Sequence, residues 1–238
     1  MLFRSYFASA DDGRELERLY GSFRWSNTRF FVLNAMDQWT GAERDWLRAE
    51  LDHALAEPGL AHRIAVMHWG PFSSGLHGNN PALASGDVIG IMRERKVDLV
   101  LAGHDHIYER GMGGGLKYLI TGGAGAPLYL ENKHAPETLH FEAAHHFVEV
   151  AVDGDHVQIT ARRPGRDVIE ACGFQGDGPW DCDPKPAPSA LDGGSAPKPP
   201  AEGSPRSSCA CAVPGSLGGG SPAALALAVV IALRRRRR

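Results

Sequence analysis

Short apolar runs alternate with amphipathic segments over about the first two-thirds of the chain. Residues 29–34, 64–67 and 97–102 are rich in apolar, β-branched or aromatic side chains and predict three strands. Between the first two, apolar residues at helical spacing predict a helix that ends at Pro58 and Gly59, and a second helical pattern precedes the third strand. This β-α-β-α-β order predicts a parallel or mixed sheet with helices packed on its faces.

A second group of strands is predicted further along the chain. Residues 116–121 form an apolar run that ends in a glycine-rich turn at residues 122–125. The turn does not open a helix with dinucleotide-binding spacing, so a tight turn at the sheet edge is favoured over a nucleotide cradle. Residues 146–152 and 156–161 alternate in polarity around Asp153-Gly154-Asp155, which predicts a hairpin.

Three histidines follow these predicted strands. His104 and His106 come directly after the run at 97–102, and His68 ends the run at 64–67. Carboxyl ends of parallel strands meet at one edge of a sheet, where open α/β sheets bind ligands. Imidazoles suit zinc, iron or manganese, and His68 supplies the third ligand that a His-x-His pair lacks. The alternative is a pair of solvated loop histidines and a satisfied core histidine.

Charge and cysteine content narrow the classes of function. The net charge is −3 even with five terminal arginines, so the body of the chain is acidic and no nucleic-acid partner is expected. All four cysteines lie in the last third of the chain, which argues against a cysteine nucleophile near the histidines. Cys172 and Cys182 flank a turn-rich loop that a disulfide could close in an oxidising compartment; two free thiols are the alternative.

The last quarter of the chain changes composition. Residues 184–208 are Pro, Gly, Ser and Ala with scattered charges and predict a linker. The apolar stretch at 222–233, counted from Leu217, approaches the lower limit of about seventeen residues for a membrane helix. Because arginines follow it, the preceding domain would face outward. The alternative is an Ala-rich helix with a basic end that binds nucleic acid or acidic lipid.

The motif around the histidine pair resembles a known family. Residues 103–110, Gly-His-Asp-His-Ile-Tyr-Glu-Arg, resemble the last signature block of the purple acid phosphatase branch of calcineurin-like metallophosphoesterases. Residues 66–68 resemble the block before it, and residues 118–125 resemble the strand and glycine turn after it. The resemblance covers roughly residues 1–165. It implies an α/β fold with mixed β-sheet layers flanked by helices, in a four-layer α/β/β/α arrangement.

The resemblance also implies a chemistry. In that family two metal ions, drawn from iron, zinc and manganese, activate a hydroxide that hydrolyses phosphoric monoesters or diesters. His68 and His106 would be ligands of the two metals, and His104 would complete one of the coordination shells. His77 would contact the substrate phosphate or protonate the leaving oxygen, although a plain loop histidine is the alternative.

Four residues of the same motif are expected to support the histidine loop rather than to react. Ligating histidines need partners that orient them, and the candidates for this outer layer are Asp105, Tyr108, Glu109 and Arg110. No organic cofactor is expected.

The family's first three ligand blocks are missing from the sequence. They are an Asp-x-His block, a Gly-Asp block with the metal-bridging aspartate, and a Gly-Asn-His block; Asn79 and Asn80 do not replace the last. Three neutral histidines without a bridging carboxylate hold two adjacent dications poorly. We therefore expect an N-terminally incomplete member, the carboxyl-terminal part of a longer phosphoesterase. The alternative is an inactive, surface-anchored remnant or binding domain of the same fold.

The carboxyl terminus resembles a second known pattern. Cys209-Ala210-Cys211, an apolar helix and terminal arginines resemble the sorting signal of myxobacterial exported proteins. This resemblance implies export, anchoring in the cell envelope through the tail and release by a processing enzyme. Residues 1–7 lack the features of a signal peptide. The expected organisation is a phosphoesterase domain at 1–170, a linker at 171–208 and a sorting tail at 209–238.

Overall fold

Seven strands form the larger of two sheets, which we call sheet A. The protein is described by a computed structural model that covers residues 20–34, 41–84, 87–183 and 229–231. The strands of sheet A are β1 (Gly21–Trp25), β2 (Thr28–Leu33), β3 (His62–Met67), β4 (Leu99–Ala102), β5 (Tyr108–Gly113), β6 (Leu116–Thr121) and β7 (Thr138–Glu142). Their order is β1-β2-β3-β4-β6-β5-β7. β2, β3, β4 and β6 are parallel, as the alternation of strands and helices predicts.

The described residues form three helices, which cover one face of sheet A. They are α1 (Gly41–Ala56), α2 (Pro81–Ala84) and α3 (Val88–Glu94). Leu47 and Leu51 lie one turn apart on α1, and both are fully buried against the sheet. α1 ends just before Pro58 and Gly59, as predicted.

The other face of sheet A packs against a five-stranded sheet, sheet B. Its strands are β8 (Phe147–Asp153), β9 (His156–Arg162), β10 (Val168–Gln175), β11 (Asp181–Cys182) and β12 (Val229–Ile231). The predicted hairpin is confirmed, since β8 and β9 pair around Gly154 and Asp155. Side chains from both sheets form one buried cluster between them. The described residues thus build three layers, α/β/β, and contribute no helix to the fourth layer that was expected.

Several described strands were not predicted, namely β1, β5, β7, β10 and β11. The buried positions of β5 include Glu109 and Arg110, whose charges hide the strand pattern from sequence analysis. Arg110 makes a two-point ion pair with Glu170 of β10, with a shortest distance of 2.6 Å. This buried pair connects the two sheets.

The folded strands continue beyond residue 170, where the linker was expected to start. The expected disulfide between Cys172 and Cys182 is present and joins neighbouring residues of β10 and β11. The compact unit accordingly runs to Asp183.

Most of the predicted linker and tail, residues 184–228 and 232–238, lies outside the described residues. The described part of the tail, β12, is extended rather than helical and pairs in parallel with β8. Among the helices that the structure describes, none is long and apolar enough to cross a membrane.

Candidate metal centre

His68 and His104 meet at one edge of sheet A. His68 follows β3, and His104 follows β4, its parallel neighbour. The backbone amide of Gly103 donates a hydrogen bond of 2.9 Å to the carbonyl oxygen of His68, which joins the two strand exits. The imidazole atoms His68 Nε2 and His104 Nδ1 lie 2.9 Å apart. The parallel strands therefore bring together two of the three histidines that the sequence places after predicted strands.

The backbone of His104 is held in an uncommon conformation. Its φ angle is +65°, in the left-handed region that side chains other than glycine rarely occupy. The Trp69 ring stacks against the His104 imidazole, with ring centroids 4.9 Å apart. Strain of this kind persists where the surroundings impose it, and it is concentrated at functional sites. The His104 ring is thus fixed toward His68.

Burial keeps both imidazoles neutral. Burial, with smaller contributions from His77 and His68, lowers the pKa of His104 to about 4. The pKa of His68 is also lowered, chiefly by burial and then by His106 and His77. A neutral imidazole offers the lone pair that a metal ion requires. The two adjacent nitrogens therefore fit one borderline metal ion.

His106 lies in the same region but is held in place by different residues. Its Nδ1 atom lies 2.7 Å from the carbonyl oxygen of Pro127, to which it donates a hydrogen bond. Its ring stacks on Tyr129, with centroids 4.4 Å apart. Such a bond at one ring nitrogen leaves Nε2 with the lone pair. His106 is therefore oriented as a ligand but does not join His68 and His104 in a tight group.

The described residues do not supply a complete set of ligands for a metal ion. Their only group of three donors within 4.8 Å of one another is Glu170, Cys172 and Cys182. Its two sulfur atoms are joined in the disulfide, and its carboxylate binds Arg110, so this group is not a metal site. No described carboxylate completes a three-donor group with the histidines. The donors fit one ion at the His68–His104 pair and do not by themselves fit two.

His77 lies beside the pair. Its ring centroid is 4.1 Å from that of His104, although its side chain is 35% exposed. The carboxylate of Asp105 is 2.7 Å from His77 Nδ1 and also accepts a hydrogen bond from the His77 backbone amide at 3.1 Å. The loop histidine singled out from the sequence is thus placed at the centre and held by a carboxylate.

Asp105 is itself firmly held. It is 1% exposed, and its second carboxylate oxygen accepts a hydrogen bond from the Ser73 hydroxyl. A side chain at Gly75 would come within 2.6 Å of the Asp105 carboxylate, so only glycine allows this packing. Glu109 stabilises the loop that contains Ser73 and Gly75, because its carboxylate accepts a hydrogen bond of 2.8 Å from the Ser74 amide.

Two of the four expected supporting residues have a different position. Tyr108 and Arg110 both bind Glu170 of β10 and make no described hydrogen bond to a histidine. The reason is strand alternation, because β5 turns these side chains toward sheet B and turns Glu109 the other way. They join the sheets and do not support the histidine loop.

Sequence reasoning missed three residues of the centre. Trp69 directly follows His68, which was the only signal for it. Ser73 and Tyr129 come from loops without a readable pattern, and only the folded chain brings them to Asp105 and His106.

Comparisons with known proteins agree with this fold. Residues 3–108 match the family model for calcineurin-like phosphoesterases, a stretch that contains His68, His77, His104 and His106. No curated protein sequence matches the chain. Among solved structures, a purple acid phosphatase from yellow lupin (Lupinus luteus) seeds superposes with a TM-score of 0.62 at 18% identity over 73% of this chain. The matched part is 35% of the lupin protein, so the chain spans about a third of its length.

A second solved structure is similar at a lower level. GAP50, the anchor in the inner membrane complex of Plasmodium, has a TM-score of 0.48 at 16% identity, over 66% of this chain and 53% of its own. The family model describes calcineurin-like phosphoesterases, and the lupin structure shows that the fold is similar to that of a purple acid phosphatase. The chain therefore has the metallophosphoesterase fold and carries a calcineurin-like phosphoesterase domain match over residues 3–108.

Proposed function

We propose that the chain contributes the histidine side of a centre for metal-dependent hydrolysis of phosphoric esters. The observation that carries this proposal is the convergence of His68 and His104, whose ring nitrogens lie 2.9 Å apart, with His77 beside them. The match to calcineurin-like phosphoesterases over the same residues supports it.

His68 and His104 hold one metal ion, because their nitrogens are adjacent and burial keeps both rings neutral. In a two-metal centre completed by further ligands, His106 would be a ligand of the second ion, since it is oriented separately by Pro127. The geometry favours His104 as the residue that shares an ion with His68. Iron, zinc or manganese held by His68 and His104 would supply a Lewis acid for a phosphoryl oxygen and would lower the pKa of a water molecule.

His77 acts on the leaving group. Its Nδ1 atom is held by Asp105, so Nε2 is the nitrogen that remains to carry a proton toward the site. An imidazolium at this position donates that proton to the leaving oxygen of the ester or binds the phosphate by charge. Asp105 favours this role because its contact with Nδ1 fixes the orientation of the His77 ring.

A second candidate function is a binding domain that holds one metal ion, or none, and does not hydrolyse esters. The specific observation in its favour is that no third donor joins the His68–His104 pair among the described residues. Two protein ligands are fewer than the three that catalytic sites usually provide.

Metal content and turnover of p-nitrophenyl phosphate test the first proposal against the second. We expect at most about one ion per chain, and a slow turnover that requires the metal and is lost in His77→Asn. His134→Asn is the matched control, because His134 is an exposed loop histidine paired with Glu131. Metal binding with no turnover would favour the binding domain. Two ions and fast turnover would contradict the one-ion assignment.

We also propose that the protein works in an oxidising, exported location. The Cys172–Cys182 disulfide supports this, because such bonds persist mainly outside the cytosol. Anchoring through the tail and a processing enzyme stay predictions. Fractionation of cells that produce the chain with an internal tag checks the location, and recovery of the disulfide-bonded chain only in the cytosol would contradict it.

A further inference from the structure

Lys117 occupies an unusual position between the two sheets. It lies on β6, where Leu116, Tyr118 and Ile120 face the helices. Lys117 is therefore on the opposite face, with Leu119, which packs in the cluster between the sheets. Lys117 is only 5% exposed. An apolar side chain would pack equally well at this position. Packing alone therefore does not explain why a lysine is found there.

The ammonium group of Lys117 has no ionic partner among the described residues. Within the described chain, Lys117 makes no hydrogen bond and no ion pair within 4.0 Å, and its Nζ atom lies 4.6 Å from the centroid of the Phe174 ring. The nearby Asp98 is already engaged, because its carboxylate accepts a hydrogen bond of 2.7 Å from the Arg63 amide and also contacts His62. Burial lowers the pKa of Lys117, and the charges of Asp98 and Asp177 offset this only in part. A buried cation is stable only when something compensates its charge.

A cavity of about 320 Å³ opens at Lys117. β6 is parallel to β4, and Lys117 is near its amino end, so this cavity lies at the opposite end of sheet A from the histidines. Arg93 and Lys96 also line it, together with the acids Glu94, Asp98 and Asp177. Asp98 is compensated by Arg63, whereas Arg95, which lies 3.5 Å from Glu94, is already paired with Asp52 at 2.8 Å. The remaining balance is three cations, Lys117, Arg93 and Lys96, against two acids, Glu94 and Asp177, so the cavity has an excess of one positive charge and favours an anion.

We propose that this cavity is a second binding site, separate from the metal centre, for a small molecule that bears a phosphate or carboxylate group. Lys117 binds the oxyanion at the closed end, and Lys96 and Arg93 stabilise it at the rim. The burial that weakens hydration of the ammonium strengthens its hydrogen bonds to such an oxyanion. Asp177 at the rim disfavours polyanions.

Calorimetric titration of the full chain with inorganic phosphate and with acetate tests the site. The chain is first freed of metal by a chelator, so that phosphate does not bind at the histidines through an ion. We expect binding of phosphate, acetate or both, weakened at least about tenfold in Lys117→Met. Lys133→Met is the control, because Lys133 is exposed in a loop away from the cavity, and its affinity should stay unchanged.

Two further variants keep the test decisive. Lys96→Met changes an exposed rim residue, so it tests the site even if Lys117→Met does not fold, and a loss of about threefold or more is expected. His104→Ala should leave the titration unchanged. Absence of binding by both anions, equal affinity in Lys96→Met and the wild type, or loss of binding in His104→Ala would overturn the proposal. None of these outcomes depends on phosphoesterase activity.

Discussion

The Nε2 atom of His68 lies 2.9 Å from the Nδ1 atom of His104, although 36 residues separate them along the chain. The cause is the parallel pairing of β3 and β4, in which Val66 is directly opposite Leu101. His68, the first residue after β3, and His104, the second residue after β4, are therefore carried to the same edge of the sheet.

This pair should determine metal affinity. His68→Ala and His104→Ala each remove one of two adjacent donors, so we expect zinc binding at neutral pH to weaken at least about tenfold. Isothermal titration with the metal-free chain measures this. His134→Ala, at an exposed site, should bind zinc as the wild type does. Unchanged affinity in both pair variants would show that the metal binds elsewhere.

Asp105 should be important for stability as well as for the site. Asp105→Ala removes a buried carboxylate that accepts hydrogen bonds from Ser73 and twice from His77. We expect the free energy of unfolding to fall by about 3 kcal/mol in urea denaturation, because the donors lose a charged acceptor. Asp52→Ala removes an exposed aspartate paired with Arg95 and should cost less than about 1 kcal/mol. Similar losses in both variants would contradict the special role of Asp105.

Gly122 should not tolerate a side chain. A Cβ atom there would lie 2.1 Å from the backbone carbonyl oxygen of Asp105, and a backbone atom cannot move aside without moving the histidine loop. Gly122→Ala should lower the free energy of unfolding by about 3 kcal/mol and weaken zinc binding. Gly21→Ala, where no atom lies within 4 Å of the added Cβ, should change stability by less than about 1 kcal/mol. A stable Gly122→Ala with full zinc affinity would show that the loop can relax.

Glu43 should make stability depend on pH. Burial raises its pKa from 4.5 to about 7, and the hydrogen bond from the Asn34 amide lowers it only in part. Between these two values the folded chain keeps a proton that the unfolded chain has released. Its stabilising contribution is therefore complete below pH 4.5 and is lost as the pH rises through about 7.

Glu43→Gln removes this titration and keeps an acceptor for the Asn34 amide. We expect its free energy of unfolding, relative to the wild type, to increase with pH and to differ by about 3 kcal/mol between pH 4 and pH 8. Urea denaturation at a series of pH values measures the difference. A difference that stays constant over this range would contradict the raised pKa.

Much of the fold was predictable because local patterns agreed with it. The apolar strands β2, β3, β4 and β6, helix α1 and the hairpin at Gly154 all follow from periodicity and turn residues. β5 was not predictable, since its buried Glu109 and Arg110 are satisfied by partners distant in sequence. For the Cys172–Cys182 disulfide, the sequence left open whether the bond forms, and the pairing of β10 with β11 brings the two cysteines opposite each other.

The sequence by itself determined that the histidines lie at the ends of strands, because each follows an apolar run that forms a buried parallel strand. It also determined the family resemblance and the absence of the first three ligand blocks. Only the tertiary structure decided that His68 pairs with His104 while His106 is held separately, and that Asp105 orients His77. The same is true of the ammonium group of Lys117, which is buried beside a cavity. These are contacts between loops and sheets distant in sequence, and their distances depend on packing that no local pattern encodes.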